Sequence, residues 1–286
     1  MTVATLEQYS FAFNDFLIGN GTPYSIQNVD GLTALPDISN QDDDSGYSDG
    51  MFTGTDFMRS RTVTLHILTT GDGVHSAAYN FNLLRRALLP QRSGTTPLQF
   101  QFGAENNLQR VYGRVRGMST PLDPDFTYGQ ILSMWTFFCP DPIIYDDLLK
   151  TSTIYVSVIA GRVYDRSYPR TYDPASAYFF TTTQNDGDWE TLPVITINGP
   201  IINPTVGNYT DGLSITLNGT FITGDVIVID LASKLITLNG ANARNLLTGT
   251  SKWFNAPVGS CQFYLTGTGT LAGTTTAVVE YRSAYL

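Results

Sequence analysis

From Arg59 to Leu68 the chain alternates without a break: Val63, Leu65 and Ile67 fall on one face, Thr62, Thr64 and His66 on the other. A period of two marks a strand with one face buried. Leu98, Phe100 and Phe102 alternate in the same way with Gln99 and Gln101, and in Gln109–Met118 Val111 and Val115 oppose Tyr112, Arg114 and Arg116. A denser run follows, with Ile131, Leu132, Met134, Trp135, Phe137 and Phe138 uninterrupted by charge. It meets Pro140-Asp141-Pro142, where two missing backbone donors stop any central strand. Near the N-terminus, Phe11–Ile18 reads as one strand up to the turn signal Gly19-Asn20-Gly21, and Tyr24–Val29 as the next. One segment switches to helical spacing. Ala77, Phe81, Leu84 and Leu88 form its apolar stripe, Ser76 can cap it and Pro90 stops it, with Arg85 and Arg86 off the stripe.

After Tyr145 the texture changes to Asp146-Asp147 and then to a Thr/Ser-rich stretch, which predicts a boundary between domains at 1–147 and 148–286. The second domain begins with a strand over Thr151–Ile159. Gly161–Phe180 (GRVYDRSYPRTYDPASAYFF), within 148–190, then reads as an irregular Tyr/Arg/Pro-rich arm. A loop of that length in a compact domain is expected to contact something. Asn185-Asp186-Gly187-Asp188 marks a turn. Short strands are then expected at Val194–Ile197, Leu213–Leu217, Val226–Asp230, Lys234–Leu238, Cys261–Leu265 and Thr276–Tyr281, spaced as in a sandwich. Asn198-Gly199, Asn218-Gly219 and Asn239-Gly240 each follow a Thr and an aliphatic residue, and predict three hairpin ends.

Composition agrees with a mainly β protein. Charged residues make up only 14% of the 286, Gly, Thr, Tyr and Phe are abundant, and an aromatic share of 12% is too high for disorder. The net charge of −9 argues against a dedicated nucleic-acid binder, which needs a basic surface. Most of the 16 cations are Arg, which suits ion pairs and interfaces. Cys139 and Cys261 stand far apart, without metal-ligand spacing, and read as free buried thiols. The N-terminal MTVATLEQYS shows no signal-peptide pattern, and no apolar run is long enough for a membrane helix.

Catalytic and metal motifs are missing from the sequence: there is no nucleophile elbow, phosphate loop, dinucleotide fingerprint or zinc signature. Gly267–Gly273 (GTGTLAG) lacks the Lys and Ser/Thr of a phosphate loop and reads as a hairpin loop. With two histidines in the chain, and His66 without a second one nearby, a histidine-based triad or metal site has little to build on. Asp42, Asp43 and Asp44 invite a calcium reading. Counting from Asp42, however, position six is Tyr47 where a glycine is needed and position twelve is Thr53 where a glutamate is needed. The Leu35–Asp56 stretch is therefore read as a solvated polar loop. Arg110, Arg114 and Arg116 can form an interface stripe or pair with this acidic loop. Trp189 and Trp253 are candidates to stack on sugar rings, the alternative being that they fill the core. No catalytic residue, cofactor or metal ligand is assigned.

The order of these motifs resembles that of the distal tail proteins, or minor tail proteins, of long-tailed non-contractile bacteriophages. In the N-terminal half the match rests on the Arg59–Leu68 strand leading to Gly71, the helix at Ala77–Leu89, Pro97–Phe102, Arg110–Gly117, and FFCPDPIIY at Phe137–Tyr145, similar to the family's Asp-Pro-x-x-Tyr exit. In the second half it rests on Leu192–Pro204, Gly224–Asp230, Thr237–Gly240, Ser251–Trp253, Pro257–Gly259 and the ending YRSAYL, where Tyr281 and Tyr285 replace the tryptophans often found in relatives. The resemblance implies a β-barrel-like or split-barrel N-terminal domain with one helix, and a galectin-like β-sandwich at the C-terminus. It implies a structural, non-enzymatic virion protein, made in the host cytoplasm and placed at the tail tip. There it would form a hexameric ring around the DNA channel, joining the tail tube protein to the tail-tip hub and supporting receptor-binding proteins. Arg110, Arg114, Arg116 and Asp42–Asp44 would lie on or near the subunit faces. The alternative is a carbohydrate-binding module for host-surface adhesion, with Trp189 and Trp253 touching the glycan.

Overall fold

In the computed structural model, which describes residues 6–102, 108–156 and 179–286, the alternating stretches are strands of two compact units, Met1–Asp147 with Leu286 and Leu148–Tyr285. The first unit opens on β1 (Ser10–Phe13) and β2 (Phe16–Gly19) where one strand was expected. Asn14 and Asp15 both take positive φ, 50° and 62°, and Phe13 pairs with Phe16, so a two-residue turn interrupts the run. Short amide and carboxylate side chains tolerate that conformation, and the apolar pattern around them hides it. Next come β3 (Tyr24–Asp30), the short strands β4 (Ile38–Ser39), β5 (Asp43–Asp44), β6 (Met51–Phe52) and β7 (Phe57–Met58), and the long β8 (Arg61–Thr69). Helix α1 (Ala77–Ala87), β9 (Thr96–Gln101), β10 (Gln109–Ser119), the single-turn α2 (Pro124–Thr127), β11 (Ile131–Cys139) and β12 (Ile144–Asp146) complete the unit.

Its main sheet runs β2-β1-β9-β10-β11-β8-β3, with β12 also pairing with β10. β8 and β11 are the central pair, in continuous antiparallel register from Arg61↔Cys139 to Thr69↔Ile131. Val63, Leu65 and Ile67 share the buried side with Trp135 and Phe137, each burial being worth about 1.5–3 kcal/mol. The core meets its own polar demands: Trp135 Nε1 donates to Ser133 Oγ at 3.0 Å, and Ser133 Oγ donates to the Ile67 carbonyl at 3.2 Å. Helix α1 covers the core with Ala77, Phe81, Leu84 and Leu88, and Ser76 Oγ accepts from Tyr79 N, as the sequence predicts.

The second unit contains β13 (Lys150–Tyr155), β14 (Phe179–Asn185), β15 (Val194–Asn198), β16 (Ile201–Asn208), β17 (Leu213–Thr216), β18 (Thr220–Phe221), β19 (Val226–Asp230), β20 (Leu235–Leu238), β21 (Ala241–Asn242), β22 (Gly259–Thr268), β23 (Thr276–Tyr281) and β24 (Ala284–Tyr285). One sheet runs β13-β23-β15-β19-β20-β21, the other β14-β22-β16-β17 with β18 on β16. A single apolar cluster lies between them, with Ile195, Ile197, Ile229 and Val279 from the first sheet and Val206, Ile215, Phe263 and Leu265 from the second. This is a β-sandwich. The Gly161–Phe180 arm lies outside the described residues except for Phe179 and Phe180, which belong to β14.

Of the three Asn-Gly pairs only one closes a hairpin. Asn239 (φ 51°) and Gly240 (φ 82°) join β20 to β21, with Leu238 opposite Ala241. Asn198-Gly199 instead takes the chain from β15 in one sheet to β16 in the other; Pro200 has no N–H for a returning ladder, and a Cβ on Gly199 would stand 2.4 Å from the Ile222 carbonyl oxygen. Asn218-Gly219 lies between β17 and β18, both of which pair with β16, and Gly219 N donates to Asn203 Oδ1 at 3.0 Å. The Gly267–Gly273 stretch likewise leads from β22 in one sheet to β23 in the other, so it is a crossover and not a hairpin loop.

Both cysteines are free and buried. Burial pushes the Cys139 thiol up to about 12 and that of Cys261 up to about 11. Since the thiolate is the nucleophile, iodoacetamide at pH 8 is expected to leave both unmodified in the native protein and to label both in denaturant. Mass spectrometry of native and unfolded samples checks this.

Candidate functional site

The three arginines of β10 lie in three different surroundings. Arg110 donates from Nε to Asp147 Oδ1 at 2.7 Å and from Nη2 to the same oxygen, which also accepts from Gln99 Nε2. Burial works against its charge, but the hydrogen bonds to Tyr112 and Asp147 outweigh that and raise its pKa. Tyr112 meets Tyr145 edge to face at 5.9 Å. Tyr145 donates to Asp141 Oδ2 at 2.8 Å, and Asp141 Oδ1 accepts from Ile143 N. The Asp-Pro-x-x-Tyr exit is thus a closed carboxylate turn tied to the Arg110 network. Burial, with Asp141 behind it, raises the Tyr145 hydroxyl pKa.

Arg114 is half-buried opposite Phe138, and its Nε has no hydrogen-bond partner. Arg116 sits where the register slips between Val115 and Gly117, exposed, with its guanidinium carbon 3.5 Å from the Phe138 ring centre. Within the chain the arginines therefore do not pair with the acidic loop, and their three environments differ.

That loop is a hairpin arm. Ile38 pairs with Met58 and Ser39 with Phe57; farther out, Asp43 pairs with Phe52 and Asp44 with Met51. Asp42 accepts from Gly54 N at 3.0 Å and Asn40 Nδ2 at 2.9 Å, fastening the two strands between the ladders. Asp42, Asp43 and Asp44 are all exposed. The polarity of the segment masked its strand content, because neither face of the arm is buried and no period of two can develop.

Root and tip of the arm differ sharply. Arg61, the first residue of β8, is 2% exposed. Its Nε donates to the Pro142 carbonyl at 2.8 Å, and its Nη1 to the carbonyls of Gly31, Leu32 and Ala34 at 3.1, 2.6 and 2.7 Å. One buried guanidinium therefore ties the root of the arm to the proline corner after β11. Sequence reasoning missed it, since the partners are carbonyls and leave no trace in residue type.

His66 lies at a cleft of about 280 Å³ that also takes in Gln27, Asp123, Asp125 and Gln130, and its Nε2 is 3.1 Å from Asp30 Oδ2. Among the described residues no group of three or more His, Cys, Asp or Glu is placed to hold a metal ion, and no helix is long and apolar enough to cross a membrane.

In the second unit both candidate tryptophans are half-buried. Trp253 packs against the sandwich core, and Trp189 is held by a backbone bridge to Ala284. The more open rings are Phe180 and Tyr209, which gather with half-buried Tyr264 within 5.3–6.4 Å of one another through the β14-β22-β16 register. Beside Trp189 lies a polar junction. Buried Asn185 donates to the carbonyls of Trp189 and Pro257 and accepts from Gly187 N and Ala284 N.

Residues 186–285, beginning one step past that junction, match the family model of the siphovirus-type tail component, C-terminal domain. That span covers most of the second unit and none of the first. No curated protein sequence matches the chain. A likeness of fold runs through nearly the whole chain. The Dit protein (gp 19.1) of phage SPP1, described as a paradigm of the hub adsorption apparatus in phages infecting Gram-positive bacteria, is similar with a TM-score of 0.66 and 16% identity, over 97% of this chain and 99% of that one. A chain of the phage P2 baseplate, in its activated conformation with Ca, is similar with a TM-score of 0.50 and 13% identity, over 96% and 97%. At such identities the likeness is one of fold. Family and fold agree with the resemblance read from the motifs.

Proposed function

We propose that this chain is a structural hub of a siphovirus tail, which forms a hexameric ring at the distal end of the tail tube. In this reading the first unit builds the ring around the DNA channel, and the second unit carries the tip or baseplate proteins, receptor-binding proteins included. The chain would be made in the host cytoplasm and end at the virion's tail tip. One observation carries the reading: the fold follows that of the SPP1 Dit protein through both units, over 97% of the chain, where the family match alone reaches only the second. The charge supports it, because an acidic protein with a formal −9 does not grip passing phosphates. A ring needs two different faces on each copy. Exposed Arg116 and the Asp42–Asp44 arm are offered for those faces, together with Arg114; Arg110, engaged with Asp147, is offered as their support.

Electron microscopy of the purified full chain across concentrations, alone and with its tail tube protein, tests the reading. Six-fold rings with an open centre are the expected result. A monomer under both conditions overturns it.

A further inference from the structure

The arm holds several large apolar side chains open to solvent. Ile38, Tyr47, Met51, Phe52 and Phe57 are all exposed, in the same 22 residues as Asp37, Asp42, Asp43, Asp44, Asp49 and Asp56. A two-stranded hairpin is marginal by itself, and an apolar patch rimmed by like charges marks a contact surface. The first unit also presents a surface of the opposite kind. The outer side of α1 forms a shallow groove of about 440 Å³ lined by Tyr79, Asn82, Leu83, Arg85, Arg86 and Leu89. Arg85 and Arg86 point away from the core, and they have no ion pair or hydrogen bond among the described residues. Tyr79 and Leu89 are exposed beside them. The helix thus offers two unpaired cations flanked by apolar side chains, and the arm offers unpaired carboxylates interleaved with aromatic ones.

We infer that the α1 groove receives the acidic hairpin arm of a second copy of this chain, with Asp43 and Asp44 against Arg85 and Arg86 and the arm's aromatic residues against Tyr79 and Leu89. The contact is heterologous, arm of one copy to helix of the next, and so it propagates around a ring and closes by rotation. Opposed charges set its register and the apolar side chains supply most of its hold. The inference rests on the ring reading and names surfaces for it beyond the β10 arginines.

The test uses the full chain in four forms: wild type, R85E/R86E, D43K/D44K, and the two pairs of changes combined. All four substituted positions are exposed, so circular dichroism is expected to be unchanged. Sedimentation velocity and native mass spectrometry follow self-association at low and at high salt. Each reversed pair alone is expected to weaken association by at least about tenfold, and the combination to restore most of it. Wild-type association is expected to weaken as salt screens the pairing. If wild type assembles and R85E/R86E assembles equally well, or the combination fails to recover, this contact is overturned while the ring reading stands. If wild type remains monomeric alone and with tail tube protein, both fall.

Discussion

Replacing Arg61 by alanine is expected to destabilise the first unit by about 3–5 kcal/mol, among the largest effects of any single change in the chain. The guanidinium supplies hydrogen bonds to four carbonyls, those of Pro142, Gly31, Leu32 and Ala34. Removing it leaves the buried Leu32 carbonyl and the part-buried bonds to Pro142, Gly31 and Ala34 without their donor, at about 1–3 kcal/mol wherever water cannot reach, and leaves a void beside Cys139. Arg61 faces carbonyl dipoles and no carboxylate, and burial lowers its pKa. A lysine cannot substitute well, since one ammonium cannot span the Pro142 side and the Gly31–Ala34 side together. Arg61→Lys is therefore expected to lose about half as much. Urea unfolding, with hydrogen exchange at the β8 and β11 amides as the local readout, measures both. A loss below about 1 kcal/mol for Arg61→Ala would mean that water replaces the guanidinium and that the junction is not dry. The arm is expected to loosen at its root in the same variant, so association should fall even though no interface side chain has changed.

The two halves of that result differ in how far a sequence can announce them. The strand beginning at Arg61 is legible, because Val63, Leu65 and Ile67 alternate with polar residues and a half-buried strand has no other period. The fate of Arg61 is not. A charged residue at a strand start reads as solvent-facing, and its partners lie 27–30 positions before it and 81 after it on backbone oxygens. The same limit applies elsewhere. Helix α1 is legible from its stripe and its Ser76 cap, whereas the groove on its far side becomes a candidate site only once the arm is seen to stand in solvent. β14 and β16 escaped for local reasons. Phe179–Asn185 buries Thr183 and Asn185 on its inner side, so its inward face is polar, and Ile201–Asn208 carries Pro204 beside Asn203 at φ 48°. Asn-Gly marks a place where the backbone can reverse. Whether it does so within one sheet, as at Asn239-Gly240, or passes to the other, as after Asn198-Gly199, depends on partners far away in sequence.

Asn185 is the second place where one side chain decides a fold, and its oxygen and nitrogen can be tested apart. Asn185→Ala removes donations to the Trp189 and Pro257 carbonyls at 2.7 and 3.4 Å and acceptances from Gly187 N and Ala284 N at 3.1 and 3.3 Å. The backbone is closely packed there: a Cβ on nearby Gly187 would lie 1.8 Å from the Ala284 carbonyl oxygen. A loss of about 3–4 kcal/mol in the second unit is expected. Asn185→Asp keeps the shape and replaces the donating nitrogen by an oxygen aimed at two carbonyls. Ionised, that carboxylate is repelled and desolvated, so its folded-state pKa must rise above the unfolded value of about 3.9. The folded form then holds the proton more tightly than the unfolded one. Relative to wild type at the same pH, Asn185→Asp should be nearly as stable below about pH 3.9, where the protonated acid donates to Trp189. It should lose stability progressively as pH rises through the folded pKa, and carry the full penalty at pH 7. Denaturant unfolding of both proteins across pH 3.5–7.5 gives the difference directly. A pH-independent gap would show that the loss comes from packing alone, and would take the hydrogen-bonded junction at Asn185 off the list of what holds this sandwich closed.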